Sequence, residues 1–241
     1  IVERTWMFYS VPWKRYEGIY ETPSTMSPLS IVVLISGRGS NLQSLIQAQQ
    51  QGALNSALKA VISNRPEAAG LQYASAQQID TVVVEPARFE GREAYDQALI
   101  EAIDPYQPQL VVLAGFMRIL TPTFVHHYAG RLVNIHPSLL PRFKGLHTHQ
   151  RALDAGVEVH GASVHYVTEE LDGGPVFLQV EIPVFREDHA DTLAERLLQQ
   201  EHRLYPAAIQ LIAEGRIQWV DDNLQFDHTP LDQPLLLDAP H

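Results

Sequence analysis

The sequence predicts an α/β fold: a doubly wound, mostly parallel sheet that finishes in an antiparallel C-terminal edge hairpin. Three observations carry this. Short, wholly apolar runs such as Ser30–Ser36 (SIVVLIS) and Gln109–Ala114 (QLVVLA) read as strands buried on both faces. Helical stretches of about 10–12 residues separate them, the pattern of a parallel crossover sheet. Beyond Leu140 the pattern turns to alternation, with Asp172-Gly173-Gly174 between two alternating segments, which reads as an antiparallel pair.

In chain order, Ser30–Ser36 is the first strand and runs into Gly37-Arg38-Gly39-Ser40. Asn41–Gln51 follows as a helix, with Ser40 or Asn41 as its N-cap. Leu58–Ser63 is a strand, Glu67–Gln77 an Ala-rich helix, and Asp80–Glu85 a strand. Arg92–Ile103 is a helix, Gln109–Ala114 a strand, Pro122–Tyr128 a short helix and Arg131–Ile135 a strand. His160–Thr168 and Gly174–Val184 form the antiparallel pair. His189–Gly215 is one long helix, and Ile217–Val220 with Asn223–Phe226 make a small hairpin. Residues 227–241 carry Pro230, Pro234 and Pro240 and are expected to trail off as a disordered tail. A domain over 30–226 follows, with its crevice at the carboxyl ends of the parallel strands. Residues 1–29 stand ahead of it as an extension. The chain opens on Ile1, and Met26 precedes the first strong strand, so residues 1–25 are expected to be an appendage or upstream sequence read through from a misplaced start.

Composition removes several function classes. The chain has 241 residues, 45% hydrophobic and 19% charged, with a formal charge of -11. Such a surface repels nucleic acid. A small anion remains acceptable, held by backbone N–H groups and a local arginine. There is no cysteine, which excludes disulfides, thiolate metal sites and a cysteine nucleophile. A cytoplasmic protein is expected. No apolar run reaches the ~18 residues of a membrane span.

Six features can carry chemistry. Ser36-Gly37-Arg38-Gly39-Ser40-Asn41 lies between the first strand and the first helix. It lacks the third glycine of a dinucleotide fingerprint, and no acidic residue stands in the window around Leu58–Val61. It is either a mononucleotide-type phosphate seat or a plain strand–helix turn. Asn134 and His136 share one face at the end of a strand. They are either two donors to an oxyanion or an amide and a structural histidine. No nucleophile elbow surrounds Ser138. Asp172 is either the corner of a hairpin or a carboxylate facing His136. His147 and His149 are loop histidines or, less readily, a metal pair; no acidic ligand stands at a familiar spacing, and no metal is expected. Glu201 sits on the apolar stripe Leu193, Leu197, Leu204, Ala208, Leu211 of the long helix. It is either paired with a ligand or snorkelling at the stripe's edge. Gly115–Leu120 either lines a slot for a flat ring or packs the strand onto its helix.

Together these segments resemble the phosphoribosylglycinamide formyltransferase family. The resemblance runs in order through IVVLISGRGSNLQ (31–43), REAYD (92–96), VVLAGFMRIL (111–120), LVNIHPSLLP (132–141), KGLHTH (144–149), HGASVHYVTEELDGGPV (160–176) and QQEH (199–202). Residues 1–29 have no counterpart in the family core, and Arg142-Phe143-Lys144 depart from related loops. The resemblance implies the formyltransferase fold and two small-molecule substrates, 10-formyltetrahydrofolate and glycinamide ribonucleotide, in purine biosynthesis. It implies no nucleic-acid or membrane partner, and a monomer or homodimer. By resemblance Asn134, His136 and Asp172 are catalytic, and Gly39, Ser40, Asn41 and Glu201 bind the ribonucleotide. Arg92, Met117, Arg118, Ile119, Leu120, Asn134, Val167, Thr168, Glu169, Glu170 and Leu171 surround the folate. Two rivals remain. One is a formyltetrahydrofolate hydrolase, which usually carries an N-terminal regulatory domain that 29 residues are too few to form. The other is a non-catalytic nucleotide-binding module.

Overall fold

Why the first strand is buried on both sides is visible residue by residue in the computed structural model, which describes Arg15–Tyr16 and residues 27–238. The expected extension and read-through segment, residues 1–29, therefore lie almost wholly outside the described residues. Two core layers share that strand. Ile31, Val33 and Ile35 pack into one. Val32 and Leu34 pack into the other. A period of two, with apolar side chains at every position, leaves neither face for water.

The elements run β1 (Arg15–Tyr16), β2 (Leu29–Ile35), α1 (Ser40–Gln50), β3 (Ser56–Ser63), α2 (Ala69–Ala76), β4 (Asp80–Val83), α3 (Gly91–Ile103), β5 (Leu110–Leu113), α4 (Pro122–His127) and β6 (Leu132–His136). After these come α5 (Thr148–Asp154), β7 (Val159–Tyr166), β8 (Val176–Pro183), α6 (Ala190–Ala213), β9 (Ile217–Val220), β10 (Asn223–Phe226), β11 (Thr229–Pro230) and β12 (Leu235–Leu237). The main sheet has the order β1-β12-β8-β7-β6-β5-β2-β3-β4, and β9, β10 and β11 form a small second sheet. Pairings among β4, β3, β2, β5 and β6 are parallel. β7 lies antiparallel to both β6 and β8. The chain leaves β2 toward β3 on one side and returns as β5 on the other. The switch point therefore falls between β2 and β5, where ligands settle in open α/β sheets.

α6 closes the first core layer, and its stripe Leu193, Leu197, Leu204, Ala208 and Leu211 is fully buried. Tyr205 on the same helix donates its hydroxyl to the Leu113 carbonyl at 2.8 Å, with the Val133 carbonyl at 3.3 Å. That contact ties α6 to the carboxyl end of β5 and the start of β6. Among the described residues no helix is long and apolar enough to cross a membrane.

Two expectations fail here. The tail expected to be disordered from residue 227 is ordered through Asp238. Leu235–Leu237 pair in parallel with β8 and in turn carry β1. Leu235 and Leu237 are 1% and 4% exposed, so apolar burial outweighs the prolines that flank them. The cap of α1 is neither Ser40 nor Asn41. Gly39 stands there at φ 71°, with no side-chain cap. Of the two readings left open for Asp172, the corner of a tight hairpin drops out. It lies in a nine-residue connection between Tyr166 and Val176, at φ 48°.

Candidate active site

The glycine loop after β2 is shaped by a backbone contact. A Cβ on Gly39 would stand 2.9 Å from Gly70 Cα on α2, at a φ that favours glycine. Gly70 N–H donates to the Gly37 carbonyl at 3.1 Å. The loop is thus seated on α2, and the first-turn N–H groups of α1 have neither an intrahelical nor a side-chain partner. They face a cavity of about 300 Å³ lined by Ser36–Asn41, Arg65, Ala114, Gly115 and Met117. A helix N-terminus open to a cavity of this size, with Arg38 and Arg65 at its wall, suits a phosphate.

Glu201 holds the floor of α1. Asn41 Nδ2 donates to its Oε2 at 2.9 Å. Glu201 as a whole is only 8% exposed. Burial raises its pKa, and the Asn41 bond pulls the other way. Asn41 Oδ1 is buried and has no hydrogen-bond partner in the structure. Glu201 is therefore paired with Asn41 and not snorkelling.

β6 presents the second group of residues. Val133 and Ile135 enter the first core layer, so Leu132, Asn134 and His136 take the opposite face. Register places Asn134 beside Leu113 of β5 and opposite His165 of β7. Asn134 Nδ2 and His165 Nε2 are 3.2 Å apart. His165 Nδ1 lies 2.8 Å from the Tyr166 carbonyl. A carbonyl only accepts, so Nδ1 carries the proton, and Nε2 accepts one Asn134 amide hydrogen. The second amide hydrogen stays free for a ligand. Burial holds the His165 pKa down, against the Tyr166 bond and the Asp172 charge, which raise it. The ring is thus a neutral orienter of Asn134. Residue type alone gives His165 no role; the signal that finds it is its place opposite Asn134 in an antiparallel pair.

His136 is 7% exposed. Its Nε2 donates to the Phe143 carbonyl at 3.0 Å. Its Nδ1 faces Asp172 Oδ2 at 3.5 Å. Asp172 also accepts from Gly145 N–H at 2.8 Å and stands 4.0 Å from His165 Nε2. Asp172 therefore reaches both histidines across the sheet face. Gly174 makes this return path possible: a Cβ there would meet the Tyr166 carbonyl oxygen at 1.9 Å. Ser138 is fully buried and donates to the Arg142 carbonyl at 2.6 Å, a structural role.

The segments named for a flat ring flank this face. Met117 and Ile119 hold their side chains 66% and 63% exposed, while Phe116 and Leu120 anchor into the second core layer. Arg92 points at its neighbour, donating to the Ile119 carbonyl at 2.9 Å. Arg118 lies over the Tyr95 ring. In the facing loop Val167 packs on the same layer and Leu171 is exposed. Thr168 hydroxyl donates weakly to the Glu170 carbonyl at 3.5 Å. Glu169 meets His126 at 2.5 Å and Glu170 meets Lys144 at 2.6 Å.

His147 and His149 do not act together. His147 stands just before α5 as its N-cap, and His149, in the first turn of that helix, pairs with His160 at 3.2 Å. One ring nitrogen donates and the other accepts, so the accepting ring is neutral. Burial, then the His149, His136 and Arg142 charges, push the His160 pKa from 6.5 down to about 4. Burial, then His136, also lowers His149. The unfolded chain takes up a proton near 6.5 and the native state resists it. Stability is therefore complete above that pH and falls as pH drops from 6.5 toward 4. Urea unfolding across that range is expected to show this fall, with a shallower slope in His160→Gln. An unchanged slope would assign the titration elsewhere.

Residues 29–209 match the family model described as Formyl transferase. The chain is 53% identical over 199 residues to the phosphoribosylglycinamide formyltransferase of Escherichia coli (strain K12), covering 83% of this chain and 94% of that one. A solved phosphoribosylglycinamide formyltransferase from Coxiella burnetii, 45% identical, superposes with a TM-score of 0.84 over 88% of this chain and 100% of that chain. A formyltetrahydrofolate deformylase from Pseudomonas syringae pv. tomato superposes at TM-score 0.76 with 26% identity, over 83% of this chain and 66% of that chain.

Proposed function

The chain belongs to the formyl transferase family, and from that premise we propose that it transfers the formyl group of 10-formyltetrahydrofolate to the amine of glycinamide ribonucleotide in purine biosynthesis. The observation that carries this reading is the convergence of Asn134, His136 and Asp172 on one sheet face, with His136 Nδ1 and Asp172 3.5 Å apart. The phosphate-type cavity opens beside it, lined by the loops that leave β2 and β5.

In the proposed reaction the phosphate sits on the N–H groups of Gly39, Ser40 and Asn41. Glu201 takes a hydrogen bond from the ribonucleotide. The folate ring lies between the 117–120 strap and the Val167–Leu171 loop. The amine attacks the formyl carbon, a C–N bond forms, and the carbonyl becomes a tetrahedral oxyanion. The free Asn134 amide hydrogen and His136 Nε2–H stabilise it, with the oxyanion replacing Phe143 as the acceptor of the histidine proton. Collapse breaks the bond to the folate nitrogen. A water held by Asp172 carries the proton from the amine to that nitrogen. No covalent enzyme intermediate and no metal enters the scheme. Much of the acceleration comes from holding two substrates in contact.

Transfer and hydrolysis differ only in the nucleophile, so turnover with and without glycinamide ribonucleotide decides between them. Loss of formyl-folate is expected only when the amine is present, with formylated amine formed in equal amount. Loss without the amine would favour the deformylase reaction. Folate left intact in both arms would favour a binding module.

A further inference from the structure

The strap that bears the proposed folate contacts is held by one face of α3. Arg92, Tyr95 and Asp96 stand at i, i+3 and i+4, the spacing that puts three side chains on one side of a helix. Each grips a different point of the strap. Arg92 donates to the Ile119 carbonyl at 2.9 Å. The Arg118 guanidinium lies 4.6 Å above the centre of the Tyr95 ring. Thr121 N–H donates to Asp96 Oδ2 at 2.6 Å. At the strap's other end Met117 N–H donates to Ser36 Oγ at 2.8 Å, and that hydroxyl donates to Asn64 Oδ1 at 2.6 Å. Polar contacts made mostly through its backbone thus hold a segment whose apolar side chains, Met117 and Ile119, stay exposed.

We propose that Tyr95 and Asp96 are positioning residues for the folate: they fix the strap's backbone before the ligand arrives and touch no substrate themselves. The inference rests on the reading of the strap as a folate contact. Its physical basis is pre-organisation. A loop already ordered in its binding shape does not lose conformational entropy on binding. Tyr95 and Asp96 are buried, at 0% and 2% exposure, so they act from beneath the strap. The Tyr95 hydroxyl has no hydrogen-bond partner in the structure. Its ring face alone makes the contact with Arg118.

The test is steady-state kinetics on Asp96→Ala and Tyr95→Leu, with Asp96→Asn and Tyr95→Phe as rescues. The first pair is expected to raise the KM for formyl-folate about tenfold, the loss of one charge-assisted bond or one cation–π contact. The ribonucleotide KM and kcat stay within about threefold, because the chemistry is untouched. Asparagine still offers an oxygen to Thr121, and phenylalanine keeps the ring, so both rescues are expected near wild type. Folate KM unchanged in folded Asp96→Ala and Tyr95→Leu overturns the proposal. So does a lower kcat at unchanged KM, the mark of general destabilisation. Binding of unformylated tetrahydrofolate to the wild-type chain is measured first. No binding there sinks the functional reading, whereas equal binding by wild type and variants sinks the positioning role of Tyr95 and Asp96 alone. Should neither variant fold, hydrogen exchange of the wild-type Thr121 amide still decides. Exchange as fast as at an exposed loop amide means that α3 does not hold the strap.

Discussion

His136→Ala is expected to lower formyl-transfer turnover on the order of a hundredfold to a thousandfold, the usual loss for one oxyanion donor. The ring is buried, and both its nitrogens face protein groups: Nε2 gives its proton to Phe143, and Nδ1 faces Asp172. Alanine removes the donor and leaves Asp172 without its ring. In the proposed reaction both substrates are held by other parts, the ribonucleotide on the loop after β2 and the folate on the 117–120 strap. KM for each is therefore expected to change by less than about fivefold, since the lost bond belongs to the transition state. His136→Asn offers an amide hydrogen from a shorter side chain and is expected to recover only part of the rate. Single-turnover formyl transfer, with near-ultraviolet dichroism as a check on folding, makes the measurement. Turnover near wild type in folded His136→Ala would remove the residue from the reaction.

The sequence made some of this legible, and the reasons are local. β2 announces itself because five successive apolar residues, Ile31–Ile35, must all be buried. Asn134 and His136 can be placed on one face because strand periodicity is fixed at two. Glu201 stands out because a carboxylate on an apolar helical stripe requires a partner, which proves to be Asn41, 160 positions away. What stayed hidden depends on distant pairing. Residues 235–237 read as tail because three leucines among prolines gain strand form only from β8. His165 became the orienter of Asn134 through the β6–β7 register, which no local pattern sets. The Arg92 guanidinium has a donor turned toward a backbone carbonyl 27 positions on, a geometry invisible in residue types. For Asp172 the residue types left two readings open, a hairpin corner or a carboxylate facing His136; its backbone is left-handed, as turn residues often are, and its side chain reaches back to His136.

That combination makes Asp172→Asn the most discriminating substitution in the chain. Asparagine has nearly the same shape, and its carbonyl oxygen can still accept from Gly145 N–H. It also tolerates the left-handed conformation at least as well as aspartate. The melting temperature is therefore expected to stay the same or rise slightly. The charge is what disappears. A carboxylate 3.5 Å from an imidazole attracts positive charge that develops on the ring. A primary amide also takes up a proton far less readily than a carboxylate. In the proposed reaction both losses fall on the step that moves the amine proton through water to the folate nitrogen. Turnover is expected to fall on the order of a hundredfold or more, with both KM values within about threefold, since neither substrate is bound by this oxygen. Asp172→Ala is expected to lose as much turnover and stability besides, because Gly145 N–H is then left without its acceptor. The pair separates two roles that one carboxylate performs. If Asp172→Asn transfers formyl at the wild-type rate while Asp172→Ala does not, the residue serves only to pin the Gly145 loop, and the proton must travel by another group.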